Sequence, residues 1–325
     1  MVDVTIAFLL RNARDLRVSL MLGLLALLPA APALGFVPVT TVATDEEDRQ
    51  GRPRAHVIHI PGIAGPRRID RNLADGIAES GVASQVEIFD WVGNRRGLAA
   101  VFGVNENRRQ ARKLAERVLE LKRQDVARPV VLVAHSGGTA IVAWALEVLP
   151  EVAREAAGGV DVAEAPEVVG VVMLASGLSP EYDLARAMRQ VSGMTFHLSS
   201  TADNYILGAG TLLFGTLDRK FGVAAGKTGF YLPMDVDPLA YARFIEIPYD
   251  QAWRALGHYG DHEGMMSRGF GRLVVANLVR ASLGENVELP ATRPAIPAPA
   301  TRPTTQPAPG SDSPALNRRD RTRVR

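Results

Sequence analysis

The sequence predicts an α/β fold built on a mostly parallel sheet, and three observations carry that expectation. Short apolar runs at 130–134 and 168–174 show no alternation of apolar and polar residues, as expected of strands covered on both faces. Between such runs lie stretches whose apolar residues recur near every 3.6 positions, the spacing of crossover helices. The chain has 325 residues, 47% hydrophobic and 22% charged, enough to close a sizeable core without cross-links. It contains no cysteine, which excludes disulfide frameworks, thiolate metal sites and cysteine nucleophiles.

At the N-terminus, Arg11, Arg14 and Arg17 precede a run from Val18 to Val39 without a charge. A basic start, a leucine-rich stretch and the small-x-small triplet Ala31-Pro32-Ala33 predict that 1–35 is a signal peptide or N-terminal membrane anchor. The protein is then exported (secreted or cell envelope) or membrane-anchored, with membrane association through that segment. Residues 36–54 read as a linker, charged from Asp45 to Arg54, and the folded domain is expected over 55–285.

Val57-Ile58-His59-Ile60 predicts the first strand, 72–79 a helix and 86–89 a second strand. A long helix over 107–123 places Leu114, Val118 and Leu121 on one stripe. The strand at 130–134 leads into a helix over 139–149, ended by Pro150. Further strands are expected at 168–174, 195–198 and 244–247, and a closing helix at 273–283. The glycine-rich stretch 205–240 reads as an insertion, a cap over the site. Residues 286–325 hold eight prolines between 290 and 314 and predict a disordered, basic tail.

Charge argues against a nucleic-acid partner. The formal net charge is +2, but the last forty residues carry seven arginines against three acids, so the folded part is mildly acidic.

Chemistry concentrates where the strand at 130–134 meets its helix through Ala134-His135-Ser136-Gly137-Gly138. A β-branched strand entering a small-x-Ser-x-Gly turn before a helix is the context of a nucleophile elbow. Small residues are needed because the serine backbone is strained and strand and helix approach closely. Ser136 is thereby lifted above the sheet, and the Gly137 amide can face a developing oxyanion.

In these residues the chain resembles the serine esterase and lipase branch of the α/β-hydrolase superfamily, over roughly 55–283. The resemblance implies a mostly parallel sheet of about eight strands and a serine hydrolase that cleaves carboxylic esters through an acyl-enzyme intermediate. It implies a small-molecule or lipid ester as substrate, and no cofactor or metal. Thioesterase, amidase or acyltransferase chemistry on the same fold, or a catalytically silent envelope binding protein, are the alternatives. In the family a second oxyanion donor follows an earlier strand; His59-Ile60-Pro61-Gly62-Ile63 occupies that place, so the Ile63 amide is the candidate. The family order of serine, acid, histidine puts the acid at Asp203, after the strand at 195–198, with Asp183 and Asp218 as weaker candidates. The other reading of Asp203 is a cap on the helix that follows. The base lies in Gly257-His258-Tyr259-Gly260-Asp261-His262-Glu263-Gly264, where His262 is favoured and His258 is the alternative. His56 and His59 read as packing residues.

Two patterns are misleading. Gly222 to Thr228 looks like a phosphate-binding loop but has three residues between its glycines where four are required. His258, Asp261 and His262 lack the spacing of a zinc-binding helix.

Overall fold

The computed structural model describes residues 54–160, 168–232, 238–289 and 296–297. The expected leader at 1–35 and most of the linker at 36–54 lie outside the described residues, as does most of the tail at 286–325. Among the described residues no helix is long and apolar enough to cross a membrane.

The centre is a six-stranded parallel sheet made of β1 (Ala55–Ile60), β2 (Ala83–Ile88), β3 (Val130–His135), β4 (Gly170–Leu174), β5 (Thr195–Ser199) and β6 (Phe244–Pro248). Their spatial order is β2-β1-β3-β4-β5-β6, every neighbouring pair parallel. Two long helices, α1 (Arg68–Glu79) and α2 (Val104–Gln124), flank β2 in sequence. A third, α3 (Gly138–Ala156), follows β3. This is an α/β fold, an open parallel sheet with helices on both faces.

Side-chain alternation divides the core in two. Ile58, Ile60, Leu132 and Ala134 pack with Leu114 of α2 and Trp144 of α3 on one face. Val57, Val131 and Val133 pack with Leu73 and Ile77 of α1 and with Phe270 and Leu278 of the closing segment on the other. Because both faces are covered, β1 and β3 are buried along their whole length.

Two expectations need correction. Among the described residues the sheet has six strands, not about eight. Each parallel strand needs an apolar run and a crossover of a dozen or more residues, and the sequence supplies six such runs. Residues 205–232, rich in glycine and threonine, form short helical turns, and Tyr231–Leu232 pairs apart from the main sheet with Ile296–Pro297. Secondly, α3 does not stop at Pro150 but runs on to Ala156. Proline removes one helix hydrogen bond, yet beyond it Val152 and Ala153 are buried, and Glu151 and Glu155 both pair with Arg112 of α2. Tertiary contact offsets the local break. The closing helix likewise starts earlier than 273, at Arg268, and reaches Ser282 through a π-helical turn at Gly271–Val275.

The chain runs outward from β1 to β2, then returns to β3 and builds the rest of the sheet on the other side. The carboxyl ends of β1 and β3 therefore flank the topological switch point, the crevice where open α/β sheets place ligands. Ser136 follows β3 there, and the loop from Pro61 follows β1.

Candidate active site

β3 delivers the chain to Ser136 in the left-handed backbone region, at φ +53°. For a residue with a side chain this conformation costs about 1–3 kcal/mol and persists only where its surroundings impose it. They do so here through the backbone. The Ser136 amide donates to the Leu174 carbonyl at 2.9 Å, and the Ser136 carbonyl accepts from the Thr139 amide, the Thr139 hydroxyl and the Gly177 amide. The glycines after it are required by space. A Cβ on Gly138 would stand 2.3 Å from the Ile60 carbonyl oxygen, and one on Gly137 would stand 2.7 Å from Cγ2 of Ile63.

The loop after β1 is held through its carbonyls. Trp91 Nε1 donates to the Pro61 carbonyl at 2.7 Å, and the Gly97 amide donates to the Ile63 carbonyl at 2.8 Å. Among the described residues, neither the Ile63 amide nor the Gly137 amide has a hydrogen-bond acceptor. Both lie beside the elbow: a Cβ on Gly62 would be 3.6 Å from Ser136 Oγ.

Asp203 follows β5 after a three-residue turn and does two things. Its Oδ1 accepts from the Leu207 amide at 3.3 Å, and its Oδ2 meets Nδ1 of His262 at 2.6 Å. Asn204, not Asp203, is the N-cap of the turn that follows, and the Asp203 carboxylate serves that turn's Leu207 amide with one oxygen and His262 with the other. Burial pushes the Asp203 carboxyl up, but the His262 hydrogen bond and charge, with the Leu207 and Ile206 amides, hold it below the usual carboxylate value. Its turn is tied to the histidine loop by Ser200, whose hydroxyl donates to the Gly260 carbonyl at 2.6 Å.

The structure separates the two histidines. His262 is partly exposed, and its Nε2 has no hydrogen-bond partner among the described residues. Its ring centroid lies 4.8 Å from that of His135, the residue before Ser136. His258 is fully buried against Tyr249, Trp253 and Phe270. Its Nδ1 accepts from the Gly260 amide at 3.3 Å, and burial pushes its pKa down to about 4, so the ring is neutral. The weaker acid candidates are engaged elsewhere: Asp218 binds the Ser179 hydroxyl and amide, and Asp183 accepts from the Tyr241 hydroxyl. His56 and His59 lie within β1, on Glu87 and Asp70 respectively, as packing residues would.

Neither misleading pattern gathers a site. Gly226 lets its segment press on β4, since a Cβ there would be 2.4 Å from the Ala175 carbonyl carbon, and Lys227 is bound by the Thr201 carbonyl and Asn204. Among the described residues no group of three or more histidines or carboxylates could hold a metal ion. A recess of about 530 Å³ between α2 and α3 is lined largely by charged side chains such as Arg112, Glu116 and Arg123, on a face remote from Ser136.

Sequence reasoning missed Trp91 and Ser200, which fix the two loops. Their only signal was a polar group beside a turn, and what each one bonds is set by residues 30 and 60 positions away.

No family model matches the sequence, nor does any curated protein. Among solved structures the chain is similar to TT1662 from Thermus thermophilus, at 17% identity over 77% of this chain and 100% of that one, with a TM-score of 0.42. It is similar to Aspergillus fumigatus lipase B at 12% identity and a TM-score of 0.40, covering 74% of this chain and 55% of the lipase, so it spans just over half of that protein. Est1E from Butyrivibrio proteoclasticus is similar at 10% identity, over 77% of this chain and 100% of that one, with a TM-score of 0.38.

Proposed function

We propose that the protein is a serine hydrolase that cleaves carboxylic esters. The observation that carries this reading is the 2.6 Å contact between Asp203 and His262 Nδ1 at the carboxyl edge of the sheet, beside a serine held at positive φ. Ser136 Oγ attacks the acyl carbonyl while His262 Nε2 takes its proton and then delivers it to the leaving alcohol. Asp203 keeps Nδ1 protonated, so that Nε2 is the basic nitrogen, and stabilises the imidazolium as it forms. The Ile63 and Gly137 amides, both without an acceptor among the described residues, bind the oxyanion. Water, activated by the same imidazole, then releases the acid. In this reading the domain spans 55–285, and the uncharged run at 18–39 directs it out of the cytoplasm or holds it at a membrane.

The test uses the full chain and a short-chain nitrophenyl ester. Ser136→Ala should lower turnover by about 10⁴-fold or more, and a fluorophosphonate probe should label Ser136 in the parent protein alone. Wild-type turnover in the Ser136→Ala protein would end the proposal, and an inert serine would return the molecule to a binding role.

A further inference from the structure

We propose that His135 is a positioning residue: its Nε2–H donates to the backbone carbonyl of His262 and holds the base loop in register with the nucleophile that follows it in the chain. This rests on the assignment of Ser136 and His262 made above. The contact is 3.1 Å long. A carbonyl oxygen can only accept, so Nε2 carries the proton, and a neutral ring leaves Nδ1 bare. Nδ1 is buried and has no partner among the described residues, so this one hydrogen bond orients the ring.

The surroundings keep that tautomer neutral. His135 is buried, and burial, with the His262 charge acting in the same sense, pushes its pKa down to about 3. Asp70 of α1, His59 of β1 and His262 are the titratable groups that act on it. His59 is engaged elsewhere, with the Val133 carbonyl through Nδ1 and with Asp70 through Nε2. A second cation beside His262 would oppose the imidazolium on which the reaction depends.

The loop needs this restraint. From Gly257 to Glu263 it has no regular secondary structure, and Gly257 and Gly260 both lie at positive φ. It is tied down at His258 by the Trp253 carbonyl, at Gly260 by Ser200, and at His262 by His135. Only the last tie reaches the backbone of the base itself. Because His135 and Ser136 are adjacent, one side chain couples the nucleophile's strand to the base's loop, and an error of about 1 Å between reacting groups can cost ~10²-fold in rate.

The experiment compares His135→Gln with His135→Asn in the full chain. The glutamine amide nitrogen reaches about as far as imidazole Nε2, and the shorter asparagine amide does not. His135→Asn should lower kcat on the nitrophenyl ester by about 10–100-fold with little change in KM, while His135→Gln recovers most of it at a matching melting temperature. Equal losses in both variants, or no loss in either, would overturn the proposal. Nitrogen-15 spectra of the unmutated protein give an answer even where a variant fails to fold: His135 should be a neutral Nε2–H ring at pH 7, and an Nδ1–H or charged ring overturns the assignment. Ser136→Ala in the same assay separates the two readings. Full activity there removes the hydrolase, whereas a dead Ser136→Ala protein beside fully active His135 variants removes only the role of His135.

Discussion

Of the molecule's histidine–carboxylate pairs, His262–Asp203 and His59–Asp70 differ most tellingly in what happens at the second ring nitrogen. His262 contacts Asp203 through Nδ1 at 2.6 Å and leaves Nε2 without a partner among the described residues. His59 contacts Asp70 through Nε2 at 2.9 Å, and its Nδ1 is also engaged, by the Val133 carbonyl at 3.0 Å. Both partners of His59 are fully buried, so neither of its ring nitrogens is open to a reactant. The first pair has a nitrogen to offer a reactant; the second is closed. A histidine beside an acid is therefore not in itself a catalytic unit. What matters is whether the remaining nitrogen faces a place a substrate can reach, and the carboxyl edge of the sheet is that place.

The comparison can be broken most sharply at its open member. Asp203→Asn keeps the volume but removes the charge that fixes the tautomer, and ester turnover should fall by about 10⁴-fold with little change in melting temperature. Turnover within tenfold of the parent would mean that the pair has no chemical role. Asp70→Asn should behave in the opposite way. It disrupts the buried contacts of Asp70 with His59 and the Arg67 amide and should cost about 1–3 kcal/mol of stability, while the fraction that stays folded keeps its turnover. Chemical denaturation and active-site titration of the same sample separate the two effects, and an Asp70→Asn protein that is stable but inactive would erase the distinction.

A gentler test uses pH. The folded-state pKa values of His135 and His258 are about 3 and about 4, lowered by burial from 6.5. Below about 6.5 the unfolded chain binds protons that the folded chain refuses, so stability should fall from there until the pH passes the folded values. Asp70 and Asp203 sit below the ordinary carboxylate value of 3.8, despite burial, because of their histidine partners, and Glu87 sits below 4.5 through His56 and Arg117. Their contributions are complete above those values and are lost as the pH drops through the lowered ones. Urea midpoints from pH 8 to pH 4 should decline steadily below 6.5, and a flat profile down to 4.5 would show that these rings are not held neutral.

The central strands were legible in the sequence because burial on both faces forces largely apolar runs, and all six runs read from the sequence form strands of the sheet. The elbow was legible for a similarly local reason, since a strained serine between a strand and a helix demands small neighbours within two residues. The end of α3 was misread because Pro150 is a local stop signal, overridden by α2 more than thirty positions earlier. The pattern favoured His262 but left His258 open, because both belong to one glycine-rich loop and either follows the order of serine, acid, histidine.

Sequence alone determined the class of fold, the position of the elbow at Ser136 and the absence of any thiol chemistry, because each depends on composition or on neighbours along the chain. Tertiary structure alone decided which histidine meets Asp203. The aromatic cage of Tyr249, Trp253 and Phe270 takes up His258, and the carbonyl of His262 comes to rest on His135, 127 residues earlier in the chain. Those contacts arise only when β3, β5 and β6 end at one edge of the sheet, and no local pattern of residues encodes that meeting.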